Sequence, residues 1–156
     1  MSESVRPQGP SADKHQRSVQ AVRALARVSR VVERASADLN LAHYRVLSAV
    51  ASGDQRASRL AERLALGKPT ISAAVDALCR RGLLLRTEVQ EDQRAVALSL
   101  TEQGQRMLDE VEAEMIARIV ELCAQTPDGA QVMESLAWLG DALEAQRRAA
   151  RGKQDQ

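Results

Sequence analysis

Between Arg56 and Arg94 the chain sets out cations and short hydroxyls at close intervals: Arg56, Arg59, Lys68, Thr70, Ser72, Arg80 and Arg94. Guanidinium, ammonium and hydroxyl groups are the donors that meet phosphate oxygens and base edges. Catalytic chemistry has no comparable constellation. There is no glycine-rich phosphate loop, and Ser72 and His43 fall on separate predicted helices with nothing to bring them together. His15, His43, Cys79 and Cys123 lack metal-ligand spacing. The expectation is a binding protein rather than an enzyme, with no metal and no cofactor.

The elements that must position these groups follow from apolar periodicity. Residues 13–36 read as a long helix with Val22, Leu25, Ser29 and Val32 as a stripe, and Arg23, Arg27, Arg30 and Arg34 on the other side. That arginine face is either solvated or touches phosphate. Asn40 predicts an N-cap for a second helix, Leu41 to Ala51, with Val46, Leu47 and Val50 inward. Ser58 is the expected cap of a third helix running through Leu64, with Leu60, Ala61 and Leu64 facing in. Gly67 and Pro69 open a fourth helix, because a proline in the first turn forgoes an N–H that would have no helical partner. Ile71, Val75 and Leu78 fix its buried face, so Thr70, Ser72, Ala73 and Asp76 point elsewhere. Gly82 closes it behind Arg80 and Arg81.

Two β-prone runs follow, Leu83 to Val89 and Ala95 to Leu100, separated by the polar residues 90–94 as a hairpin loop. Thr101 caps a fifth helix with Leu108, Val111, Met115, Ile119 and Leu122 as its seam. A break at Thr126-Pro127-Asp128-Gly129 precedes a sixth helix with Val132, Leu136, Leu139 and Leu143 in line. The fold class is mainly α with a small β-hairpin wing. Its expected organisation is a disordered tail (1–12), a winged helix-turn-helix lobe (39–100) and long N- and C-terminal helices (13–38 and 101–150) that dimerise.

The 156 residues contain no Phe, one Tyr (Tyr44) and one Trp (Trp138), so Leu, Val, Ile, Met and Ala must fill the core. No apolar run approaches the roughly 20 residues that cross a bilayer, and the expected location is cytoplasmic. Net charge is only +1, but from Leu41 to Leu100 there are nine Lys and Arg against six Asp and Glu. The positive balance therefore coincides with the predicted helix-turn-helix. The first, fifth and sixth helices carry more apolar stripe than a small lobe can cover, which a homodimer resolves; the alternative is an intramolecular bundle.

Leu60-Ala61-Glu62-Arg63-Leu64, Lys68-Pro69-Thr70-Ile71-Ser72, Val75-Asp76-Ala77-Leu78, Arg81-Gly82-Leu83, Asp92-Gln93-Arg94 and Leu100-Thr101-Glu102-Gln103-Gly104, in this order and spacing, resemble the multiple-antibiotic-resistance regulator (MarR) family. The resemblance spans about residues 13–146. It implies a dimeric winged-helix transcription factor that binds a pseudo-palindromic double-stranded operator, as a repressor released by a small-molecule effector. It implies that Lys68, Pro69, Thr70 and Ser72 open the recognition helix, and that Arg94 enters the minor groove with Asp92 holding its guanidinium. Asp92 also suits a turn. Arg56, Arg59 and Arg80 are candidate backbone contacts, although Arg80 and Arg81 equally suit a helix C-terminus. Ala73 stands where many relatives carry a longer polar residue, leaving contact with a thymine methyl as its option; Asp76 completes the exposed set.

Four residues, His43, Tyr44, Met107 and Met115, are candidates to line an effector cleft between the second and fifth helices; ordinary core packing is the competing reading. Two other functions stay open: a winged-helix module that binds protein, and a thiol-based redox sensor using Cys79 or Cys123.

Overall fold

The computed structural model describes residues 10–53, 56–89 and 92–154, with side chains described for 13–53, 56–87 and 96–150. Six helices and one antiparallel hairpin follow one another: α1 (Pro10–Glu33), α2 (Leu41–Ala51), α3 (Ala57–Leu64), α4 (Lys68–Arg80), β1 (Leu84–Val89), β2 (Asp92–Leu100), α5 (Glu102–Cys123) and α6 (Gly129–Gln154). The fold is mainly α with a small hairpin wing, as the periodicity predicts. α1 already begins at Pro10, inside the stretch expected to be a tail; residues 1–9 lie outside the described residues.

Local chemistry sets most helix ends. Asn40 Oδ1 accepts the His43 N–H at 2.8 Å and starts α2. Thr101 Oγ1 does the same for α5, accepting from Gly104 N at 2.8 Å. Asp128 Oδ1 accepts from Gln131 N at 2.9 Å at the head of α6. α3 departs from expectation: Arg56, not Ser58, is its extended N-cap residue, and no side chain caps it. Ser58 already has helical backbone, because the chain turns from extended to helical two residues earlier.

α3 and α4 end in the same way. The Leu83 N–H returns to the Leu78 carbonyl and the Gly82 N–H to Cys79, a Schellman turn that needs a left-handed residue at Gly82 (φ 69°). In α3 the Leu66 and Ala65 N–H groups return to Ala61 and Glu62, and here the left-handed residue is Ala65 (φ 51°). A Cβ in that region costs about 1–2 kcal/mol.

A single apolar core joins the helices. Val46 and Leu47 of α2, Leu60 of α3, Ile71, Val75 and Leu78 of α4, and Leu84 and Leu98 of the hairpin are all buried. The core continues past Thr101 into α5 through Leu108, Val111 and Met115. Beyond Met115 the seam opens: Ile119 and Leu122 are partly covered, while Ile116 and Val120 are exposed. α1 and α6 expose Val22, Leu25, Trp138, Leu139 and Leu143. Among the described residues, no helix is long and apolar enough to cross a membrane.

The hairpin registers Leu84 with Leu100 and Arg86 with Leu98, then shifts between Glu88 and Val89, so that Val89 faces Asp92. β2 therefore begins at Asp92 and not at Ala95, so residues 92–94 of the expected loop belong to the strand; residues 90 and 91 lie outside the described residues. Gln93, Arg94 and Ala95 occupy the irregular part of the ladder. The hairpin base is clamped: Thr101 N–H donates to the Leu83 carbonyl at 3.1 Å, Thr101 Oγ1 donates to the Gly82 carbonyl at 2.6 Å, and a Cβ on Gly104 would stand 2.0 Å from the Leu83 oxygen.

Gly104→Ala is expected to destabilise the protein by about 1–3 kcal/mol through this overlap, read as a lower denaturant midpoint at unchanged slope. Ala65→Gly is expected to act oppositely, raising stability by up to about 1 kcal/mol, since left-handed strain is removed but chain entropy is added to the unfolded state.

Candidate nucleic-acid interface

The outward side of α4 is built by what its inward side excludes. Ile71, Ala74, Val75 and Leu78 are buried, which turns Pro69, Ser72, Ala73, Asp76 and Arg80 onto one ridge, flanked by Lys68 and Thr70. Lys68, Pro69, Thr70, Ser72, Ala73 and Arg80 are exposed. Gly67 caps α4 without a side chain, so the first-turn N–H groups are not satisfied by a capping residue. Arg56 and Arg59 are exposed at the head of α3, the helix that precedes and packs on α4. Hydroxyls, a lysine ammonium and backbone donors thus share one open surface on α4, and the head of α3 adds two exposed arginines.

Asp76 is placed differently from its neighbours. Its carboxylate is half exposed and pairs with the Arg86 guanidinium on β1, within hydrogen-bonding distance. An exposed set read from the helix alone misses this partner, because the pair joins two elements ten residues apart in sequence. Arg81 also has its own use: it donates to the Asp38 carbonyl at 2.9 Å, tying the end of α4 to the approach to α2. The side chains of Asp92 and Arg94 lie outside the described residues; their backbone belongs to β2.

Residues 37–95 match the MarR family model. The lobe is a MarR-family winged helix. Solved MarR-type structures extend the likeness in shape to the terminal helices. A MarR-family transcriptional regulator from Rhodococcus sp. RHA1 is 24% identical, with 88% of this chain and 96% of that one covered at a TM-score of 0.69. The transcriptional repressor CouR, bound to a 23-mer DNA duplex, is 22% identical over 88% and 99% of the two chains, at 0.70. BldR, a transcriptional regulator from Sulfolobus solfataricus, is 20% identical over 86% and 99%, at 0.65. No relative was found among curated proteins.

The MarR-type lobe meets the terminal helices along α2 and α5, where three of the four candidate effector residues are partly covered. Tyr44 and Met107 pack against the core, and Met115 belongs to it. Tyr44 donates to Glu112 Oε1 at 3.3 Å, and burial, followed by the Glu112 charge, raises the phenol above its ordinary value. None of the four lines the open apolar cleft of about 460 Å³ that lies among α1, α5 and α6, walled by Leu25, Val28, Ile119, Leu122, Leu136 and Leu139. Cys79 is half-buried beside the core and Cys123 is buried at the edge of that cleft. Among the described residues, no group of three His, Cys, Asp or Glu could hold a metal ion.

The surroundings of His43 favour its neutral form. Burial first, and the Arg81 charge second, lower its pKa below the ordinary 6.5, and Asn40 Nδ2 lies 3.3 Å from Nδ1, where only an unprotonated nitrogen accepts. The unfolded chain therefore takes up the proton first. This contribution to stability is complete above about pH 6.5 and declines as pH falls towards the folded value. The melting temperature should fall between about pH 7.5 and pH 5.5, and His43→Gln should reduce that fall. Identical pH profiles would contradict it.

Proposed function

We propose that this chain is a DNA-binding transcriptional regulator that works as a homodimer on a pseudo-palindromic operator, as a repressor. The carrying observation is the α4 ridge: every large apolar side chain of that helix is turned inward, and Lys68, Thr70, Ser72 and Arg80 are left facing solvent. Arg56 and Arg59 supply backbone contacts, and Arg94 on β2 supplies the groove contact of the wing. Such a chain acts by binding and not by catalysis. CouR, with its bound duplex, supports the reading by likeness of fold.

The homodimer reading rests on the terminal helices. Val22 and Leu25 of α1, Ile116 and Val120 of α5, and Leu139 and Leu143 of α6 are exposed, Leu25 and Leu139 as walls of the apolar cleft, and a second copy supplies matching stripes. Two lobes fixed in this way meet half-sites about 10 bp apart. A small-molecule effector would act across the α2–α5 border, where Tyr44 and Glu112 form a polar link between lobe and terminal helix.

Binding to duplex DNA at two salt concentrations tests the core of this reading, since counterion release makes phosphate-dominated binding weaken steeply with salt. Salt-insensitive or absent binding favours a winged-helix module for a protein partner. Arg94→Ala is expected to weaken binding by about 1–3 kcal/mol and Gln93→Ala by less. For the dimer, Leu139→Glu should shift sedimentation to the monomer while far-UV dichroism keeps its helical signal; a variant that still sediments as a dimer rules out this face.

A further inference from the structure

We propose that Arg86 and Asp76 form a positioning clamp that makes the wing and the recognition helix one rigid body, so that neither residue serves as a DNA contact. The inference rests on the DNA-binding reading and adds a mechanical part to it. A two-stranded hairpin is marginal in isolation and needs packing to hold an orientation. Here the apolar anchorage is short. Leu84 and Leu98 are buried, but Val96, two residues nearer the tip than Leu98 and on the same face of β2, is exposed.

Side chains alternate along a strand, so Arg86 leaves β1 on the face of Leu84, towards the lobe. It registers with Leu98, the last buried residue towards the tip among those whose side chains are described. The Asp76 pair is therefore the outermost side-chain tie described between hairpin and lobe. From Arg86 to Val89, the end of the strand, the chain advances about 3.3 Å per residue, so roughly 10 Å of strand extends past this tie. Arg94 lies on that projecting part, in the irregular ladder beyond the Glu88 register shift. Thr101 and Gly104 hold the base, so without the pair the strands above it would flex and displace the tip most.

Chemistry also separates clamp from contact. Asp76 is a carboxylate on the ridge that faces the phosphates in the DNA reading, where an unpaired anion would repel them. Its pairing with Arg86 cancels that charge and gives Arg86 a fixed direction. Both side chains remain nearly half exposed, so the pair adds little to global stability.

The test is a double-mutant cycle of Asp76→Asn, Arg86→Gln and their combination, with the reversed pair Asp76→Arg/Arg86→Asp. Two measurements are made: affinity for a duplex selected from a random pool, and amide hydrogen exchange of β1 and β2 in the free protein. The clamp predicts that each single variant loses about two- to fivefold in affinity, that the double variant is no worse than either, and that the salt slope is unchanged. It also predicts faster hairpin exchange in the single variants and recovery in the reversed pair. Exchange alone judges the reversed pair, because that variant adds a cation to the ridge. If Arg86→Gln weakens binding with a salt slope reduced by about one while Asp76→Asn does not, Arg86 contacts phosphate and the clamp is overturned. Unchanged exchange in all variants overturns it as well. If the wild type binds neither selected nor random duplex, the DNA-binding reading fails, and exchange still decides the clamp.

Discussion

Where α5 begins, its backbone lies directly against the end of the helix-turn-helix. Gly104 meets the Leu83 carbonyl with no space for a side chain, and Thr101 bonds to both Gly82 and Leu83. Three elements with different duties converge on these few atoms: the C-terminus of α4, the base of the hairpin and the N-terminus of α5. The left-handed Gly82 brings Leu83 back over Leu78, and the resulting turn is the surface on which α5 is seated. The direction in which the exposed ridge of α4 points relative to the terminal helices is therefore set here, in backbone contacts that leave little latitude.

From that junction the lobe and the terminal helices grow as one packed body. Leu108, Val111 and Met115 carry the lobe core up the first half of α5, and only after Met115 does the helix present uncovered apolar surface. The far half of α5 is thus connected to α2 through buried side chains, with the Tyr44–Glu112 hydrogen bond alongside. Interiors of this density shift as units and do not deform smoothly. On the proposed function, the same packing that stabilises the lobe would carry a change in terminal-helix geometry to the DNA face.

How far the sequence could be read depended on whether the signal was local. Asn40 and Thr101 cap helices through backbone groups three residues away, and Ile71, Val75 and Leu78 recur on one helical face, so α2, α4 and the start of α5 were legible. Ser58 misled because a hydroxyl at a helix start is common inside the first turn as well as before it. The start of the second strand is not legible, because Asp92-Gln93-Arg94 has the composition of a loop and no apolar alternation in sequence, although its backbone belongs to β2. The Asp76–Arg86 pair could not be read at all, since helix geometry leaves Asp76 open and only the fold brings β1 beside it. Ala65 in a left-handed turn is a similar case, where a tertiary requirement overrides the residue's own preference.

The scarcity of aromatic residues shapes more than the core. Tyr44 stands at the α2–α5 border and Trp138 is exposed on α6, so the two near-ultraviolet chromophores report on separate places. The half of the molecule that carries the recognition helix and the wing contains no indole to quench or shift. Contacts made there alter tryptophan emission only if they are carried through to α6, whereas a partner that covers Trp138 changes the polarity around the chain's one indole directly. Selective excitation therefore divides the molecule optically along the line where its lobe ends and its exposed apolar helices begin.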